Sequence, residues 1–286
     1  MYISFATTHK GHVREKNEDA LLANPDLGLW VVADGVGGNV HGEFASQLAV
    51  KTVEKKVRQG IPLVDAIDAA HWSVVEAARK NPDLRGMATT IVACLFHGNR
   101  FRVAWVGDSR AYLLSNRVMR QLTTDHNEAG ELQRTDDLTE AQADAHPGQH
   151  YLTRALGLER AIEIELVDGE LEKDDRLLLC SDGLSGEISR NQLYAAMSSS
   201  ISDQQKLDML LEAALVAGGS DNVTLAIIGL DRNVLRKEKP LIHEAEEVKA
   251  VTSDTALIWK AGLVALSIGV GLALVVVGLI ALLFKN

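Results

Sequence analysis

Cysteine is scarce in this sequence, and the two present, Cys94 and Cys180, lie inside the apolar runs IVACLF and LLLCSD. That setting favours buried free thiols over a disulfide or a metal pair and suits a reducing cytoplasm. Basic charge is also in deficit, 29 Lys and Arg against 39 Asp and Glu. A nucleic-acid binder needs a basic stripe to neutralise phosphates, so that class is excluded. The N-terminus, MYISFATTHKG, lacks a basic segment followed by an apolar one, so no secretory signal is expected. No repeat of solenoid period is visible.

What is present is the composition of an ordinary folded protein, 47% hydrophobic and 24% charged over 286 residues, enough for one large domain or two small ones. Three regions separate. Residues 1–232 alternate apolar runs, turns and amphipathic stretches. Residues 233–256 carry charges of both signs and Pro240, and read as a linker. Residues 257–286 read as a tail anchor, because Ala261 to Phe284 is uncharged and longer than the roughly 20 residues a helix needs to cross a bilayer. A cytoplasmic domain on a single-pass helix of the inner (plasma) membrane is therefore expected. Ala265, Gly269 and Ala273 form a small-residue ladder that leaves pairing of two such helices open.

Within the first region, residues 29–33, 89–96, 101–106, 177–180 and 223–230 are short, apolar and rich in β-formers, as buried strands are. Helical spacing runs from Ala45 to Val57 and from Val64 to Ala78, then again over 190–197 and 204–217. Strands, a helix pair, many strands, a second helix pair and a last strand do not make the alternation of a parallel sheet. They predict an α+β domain of antiparallel sheets covered by helix pairs.

Carboxylates recur where these strands meet turns. LWVVADG ends in Asp34-Gly35, LLLCSDG in Asp182-Gly183, and GGSDN sets Asp221 before the final strand. A single Asp-Gly reads as a turn. Three at strand ends make a cation site an equal reading, since crowded carboxylates repel one another unless cations neutralise them, and oxygen-only ligands select Mg²⁺ or Mn²⁺ over zinc. Arg14, among the acids of REKNED, is either a phosphate ligand or a surface ion pair. Gly107-Asp108-Ser109-Arg110 reads equally as a hairpin turn, and the glycines after Asp34 lack the lysine of a P-loop.

Taken together the residues are ordered as Arg14-x-x-Asn17-Glu18-Asp19, Asp34-Gly35-x-Gly37-Gly38, Gly42-Glu43-x-Ala45-Ser46, Met87-Ala88-Thr89-Thr90, Gly107-Asp108-Ser109-Arg110, Leu122-Thr123-x-Asp125-His126, Leu152-Thr153-Arg154-Ala155-Leu156-Gly157, Ser181-Asp182-Gly183-Leu184 and Asp221-Asn222-Val223-Thr224. In this order the chain resembles the PPM, or PP2C-type, family of metal-dependent serine/threonine protein phosphatases in its compact bacterial form, from Thr7 to about Leu230. The resemblance implies a four-layer α-β-β-α sandwich with metals at one end. Asp34 would bridge two Mn²⁺ or Mg²⁺ ions with the Gly35 carbonyl as a further ligand. Asp182 and Asp221 would complete the shell of the first ion, Glu18 and Asp19 would act on the second directly or through water, and Asp108 would hold a looser third ion with Asp182. Arg14 would grip the substrate phosphate, and a water held between the two metals would attack phosphorus.

The family's histidine soon after the Asp-Gly pair is missing, since position 36 is Val and 39 is Asn. His41 is the nearby candidate for general acid or an exposed residue leading into a helix; a metal-bound water is the other candidate donor. Residues 127–149 correspond to the family's variable flap, and His126 and His150 beside it read as structural. The expected partners are phosphorylated proteins, a Ser/Thr kinase with its targets, and the membrane. A non-catalytic binding module and a phosphatase dedicated to one phosphoserine regulator are the rival readings.

Overall fold

The computed structural model describes residues 2–36, 41–135, 137–158 and 161–231. Gly37, Gly38 and Asn39, the charged linker and the anchor lie outside the described residues. Among those described, no helix is long and apolar enough to cross a membrane.

The chain runs β1 (Tyr2–His9), β2 (Asp19–Asn24), β3 (Leu29–Val36), α1 (Gly42–Arg58), α2 (Leu63–Lys80), β4 (Ala88–Thr89), β5 (Ile91–His97), β6 (Arg100–Val106), β7 (Arg110–Ser115) and β8 (Val118–Gln121). It continues through α3 (Glu128–Arg134), α4 (Glu140–Ala143), β9 (Glu165–Glu170), β10 (Arg176–Cys180), α5 (Asp182–Ser185), α6 (Arg190–Ser198), α7 (Asp203–Ala217) and β11 (Val223–Leu230). One sheet has the order β1-β11-β10-β7-β8; the other has β2-β3-β5-β6-β9, with β4 paired to β3. Every pairing is antiparallel.

Two-residue periodicity builds the layers. On β3, Trp30 and Val32 face the other sheet, while Leu29, Val31 and Ala33 join Ala49, Val53, Ile67 and Val74 beneath α1 and α2. On β11, Ala226, Ile228 and Leu230 enter the core between the sheets, and Val223, Leu225 and Ile227 pack against Leu193, Leu207 and Leu210 of α6 and α7. Both strands are thus covered on both faces, which is why they read as unbroken apolar runs. Three apolar layers separate four layers of secondary structure, the α-β-β-α order expected.

Local signals set the helix ends. Ser189 with Gln192, and Ser202 with Gln205, form capping boxes that start α6 and α7. In α1, Glu43 opens the helix and Lys55, Lys56 and Arg58 close it, complementing its dipole. Cys94 and Cys180 are free and buried, and burial pushes the Cys180 thiol up to about 12.

Two expectations change. The run 89–96 divides into β4 and β5, because Thr90 turns aside to bond Asp34: its N–H donates to the Asp34 carbonyl at 2.8 Å and its hydroxyl accepts from the Asp34 N–H at 3.1 Å. Residues 107–109 are not a hairpin turn, since β6 and β7 belong to different sheets. They carry the chain across the end of the sandwich.

Candidate metal and phosphate site

The end of the sandwich where β6 crosses to β7 also gathers the start of β2, the far end of β3, the end of β10 and the start of β11. Asp19 stands opposite Asp34 in the β2–β3 register. Asp34 lies inside β3, two residues before the strand ends, instead of past its end as the sequence suggested. Asp182 opens α5 directly after β10, Asp221 precedes β11, and Asp108 lies buried in the crossing turn.

Hydroxyls and glycines fix these positions. Ser181 donates to Asp19 Oδ2 at 2.8 Å, tying the end of β10 in one sheet to the start of β2 in the other. Thr90 and Ser109 hydroxyls share a hydrogen bond of 2.7 Å beside Asp108. A Cβ on Gly183 would stand 2.0 Å from the Asn222 carbonyl, so only glycine lets α5 bring Asp182 against the Asp221 turn. A Cβ on Gly42 would stand 2.6 Å from the Gly35 carbonyl oxygen, the proposed backbone ligand, and 3.0 Å from the Glu18 carboxyl carbon. Ser181, Thr90 and Ser109 had no assigned role from sequence, although each adjoins a motif aspartate.

The electrostatics are those of an uncompensated acidic cluster. Burial, followed by the charges of Asp19, Asp182 and Asp108, raises the Asp34 carboxyl well above its ordinary value. Burial and then Asp182 do the same to Asp108. Asp19 is pushed up to about 7, chiefly by burial, with the Thr224 and Ser181 hydroxyls pulling back. Burial and then Asp221 raise Asp182, against hydrogen bonding from Asp34. Repulsion is mutual, so Asp34 faces Asp19, Asp182 and Asp108, while Asp182 faces Asp34, Asp19, Asp108 and Asp221.

As the side chains stand, no three acidic, histidine or cysteine groups among the described residues close around one point. Arg14 Nη2 holds Asp221 Oδ2 at 2.7 Å, Ser181 holds Asp19, and the Asp34 and Asp182 carboxyls face each other. Yet Asp19 Oδ1 and Asp182 Oδ1 are buried without a hydrogen-bond partner. Buried carboxylate oxygens left unpaired amid like charges are costly to the fold. Hard divalent cations with oxygen ligands answer both deficits, so the donor set fits Mn²⁺ or Mg²⁺.

The remaining candidates divide. Arg14 reaches the cluster, its guanidinium half exposed at the rim. His41 is the residue before α1 and makes no capping bond to it. His126 is structural as expected: Gly107 N–H donates to its Nδ1 at 3.1 Å, and burial, then Arg154 and Arg134, lowers it to about 3. His150, beside the flap, is exposed and lies near enough to Asp182 for a positive charge there to favour the ionised carboxylate. Within the flap, Asp144 is held by Arg110 at 3.1 Å and by Arg190 at 3.3 Å.

The protein phosphatase 2C profile matches residues 8–217 of this chain. The chain belongs to that family. It is 35% identical over 243 residues to a serine/threonine phosphatase, stp, of Listeria innocua, covering 80% of this chain and 96% of that protein. The crystal structure of the Mycobacterium tuberculosis serine/threonine phosphatase PstP superposes with a TM-score of 0.73 at 33% identity, covering 80% of this chain and 99% of that one. A PstP catalytic domain determined with two manganese ions superposes at 0.71, also 33% identical, over 80% of this chain and 97% of that one. Family membership supports dependence of this phosphatase on Mn²⁺ or Mg²⁺.

Proposed function

We propose that this protein serine/threonine phosphatase removes phosphoryl groups from phosphoserine and phosphothreonine in proteins at the cytoplasmic face of a membrane, opposing a Ser/Thr kinase. The observation that carries the chemistry is the carboxylate cluster around Asp34, drawn from both sheets, with Arg14 at its edge. Asp34, Asp182, Asp221, Glu18, Asp19 and the Gly35 carbonyl would hold two divalent ions, and Asp108 with Asp182 a third. When bound, such ions supply Lewis acidity and activate water near neutral pH.

The chain's own residues handle the rest. Arg14 offers paired N–H donors to the phosphoryl oxygens and offsets charge that grows there as the P–O bond to the substrate breaks. Its half-exposed position at the rim suits a phosphorylated side chain carried on a protein surface. The departing serine or threonine oxygen takes up a proton, for which His41 at the start of α1 is the proposed donor.

Purified full-length protein is expected to hydrolyse p-nitrophenyl phosphate and a phosphothreonine peptide with Mn²⁺ and to stop in EDTA. Asp182→Asn should abolish both activities, and equal turnover in chelator would overturn the reading. Membrane attachment rests on the uncharged run from Ala261 to Phe284. The full chain should stay with membranes through alkaline carbonate and leave them with detergent; release by carbonate alone would refute the anchor.

A further inference from the structure

Between β1 and β2 the chain loops through residues 10–18, and Arg14 is midway along that loop. Arg14 itself is half exposed, and its guanidinium tip is held by Asp221. What shapes the loop is a different side chain. Asn222, buried to 4% exposure, donates from Nδ2 to the Lys10 carbonyl at 2.9 Å and to the Lys16 carbonyl at 2.8 Å. Its Oδ1 accepts from the Glu18 N–H at 2.7 Å. One amide thus joins the start of the loop to its end, across residues four before and two or four after Arg14.

The match between amide and loop is specific. Two carbonyls and one N–H face Asn222, and a primary amide supplies two donors and one acceptor in fixed geometry. Aspartate lacks the donors, serine lacks the reach, and the partners permit only one orientation of the amide. Neighbouring contacts hold the same register. His12 N–H donates to the Gly219 carbonyl at 2.7 Å, and Gly11, at φ +75°, lies so close to the Asp221 carbonyl that a Cβ would stand 2.1 Å away. The backbone N–H of Asn222 also donates to Asp221 Oδ1 at 2.8 Å.

We infer that Asn222 is a positioning residue for phosphate capture: by clasping Lys10, Lys16 and Glu18 it fixes the loop that presents Arg14 beside Asp221. Its own amide is fully engaged with backbone and does not touch the substrate. Its effect on phosphate capture runs through Arg14, so in that step the two residues act as one unit. Effects of residues that act as a unit are not additive, which gives the inference a direct test.

The inference rests on the phosphatase reading, and wild-type turnover with Mn²⁺ tests that reading first. The test of Asn222 is a double-mutant cycle in the full chain: Arg14→Ala, Asn222→Ala and the pair, each assayed for kcat, KM and inhibition by inorganic phosphate. Loss of an ionic phosphate contact costs roughly tenfold or more in affinity. Arg14→Ala and Asn222→Ala should each weaken phosphate inhibition and raise KM by about that factor, and the double variant should lose no more than either. The Mn²⁺ concentration for half-maximal activity should move by less than about twofold. Multiplicative losses in an active enzyme, an Asn222→Ala variant with wild-type KM, or a loss seen only as weaker Mn²⁺ activation would each overturn the proposal. Should Asn222→Ala fail to fold, the near-isosteric Asn222→Asp, which keeps the Glu18 bond and loses both donors, enters the same cycle with the same criteria.

Discussion

Asp34→Asn is expected to lower turnover by at least about 10³-fold while making the protein more stable in chelator. Burial raises the Asp34 carboxyl, and the charges of Asp19, Asp182 and Asp108 that face it raise it further. Removing its charge relieves repulsion throughout the group, and the amide keeps the carboxylate's shape. The backbone of Asp34 needs no side-chain charge, since its carbonyl accepts from the Thr90 N–H and the Thr89 hydroxyl, and its N–H reaches the Thr90 hydroxyl. Its place among three other carboxylates means that loss of its charge also weakens attraction for divalent cations. Loss of activity with a raised melting temperature in EDTA, and a weaker rise of that temperature on adding Mn²⁺, is the expected pair of results. Retained turnover would remove Asp34 from the catalytic centre. A variant that melts earlier than wild type in EDTA would show the carboxylate to be structural.

The sequence announced some of this architecture and hid the rest for identifiable reasons. β3 and β11 were legible because each is covered on both faces, so every position is apolar. β1 and β9 were not, because they are the edge strands of their sheets and carry Ser4, Thr7 and Thr8, or Glu165, Asp168 and Glu170. On β9 those acids pair across to β6, Arg102 with Asp168 at 2.7 Å and Arg100 with Glu170 at 2.9 Å. The β7–β8 hairpin escaped notice because its two-residue turn uses Asn116 and Arg117 at positive φ instead of glycine.

At the site, the aspartates were legible because acidic residues beside glycine at the ends of apolar runs form a pattern. Their supports were not. Ser181 and Thr90 act through hydroxyls, and Asn222 acts across about 200 positions of chain, where local spacing carries no information. Arg14 shows both sides of the matter. Its two readings, phosphate ligand or surface ion pair, meet in one geometry: a rim guanidinium paired with Asp221, a proposed metal ligand.

The stability of the cluster should also depend on pH with a sign opposite to that of an ordinary ion-paired carboxylate. Asp19 is moved from 3.8 to about 7 in the fold. Between those values the folded state holds the proton that the unfolded chain has released. Stability is therefore lost as pH rises through that window, by on the order of 4 kcal/mol for a group so displaced. His126 acts the other way: lowered from 6.5 to about 3, it is neutral in the fold and costs stability as pH falls below 6.5. The two oppose each other over much of the same range, so the wild-type profile alone does not isolate Asp19. The difference between Asp19→Asn and wild type removes the His126 contribution, which is common to both, and reports Asp19 together with the neighbours its charge raises. Measured by denaturant unfolding in EDTA, that difference should favour the variant increasingly from pH 4 upward and level off above about pH 7. The Ser181 hydroxyl can still donate to the amide oxygen, so the 2.8 Å bond between the sheets survives the substitution. With saturating Mn²⁺ the order should reverse at pH 8, since a bound cation stabilises the ionised carboxylate and adds its binding energy to the folded state. A difference that stays flat from pH 4.5 to 8 in chelator would mean that Asp19 is ionised in the fold without help, and the case for a cation beside it would lose its electrostatic basis.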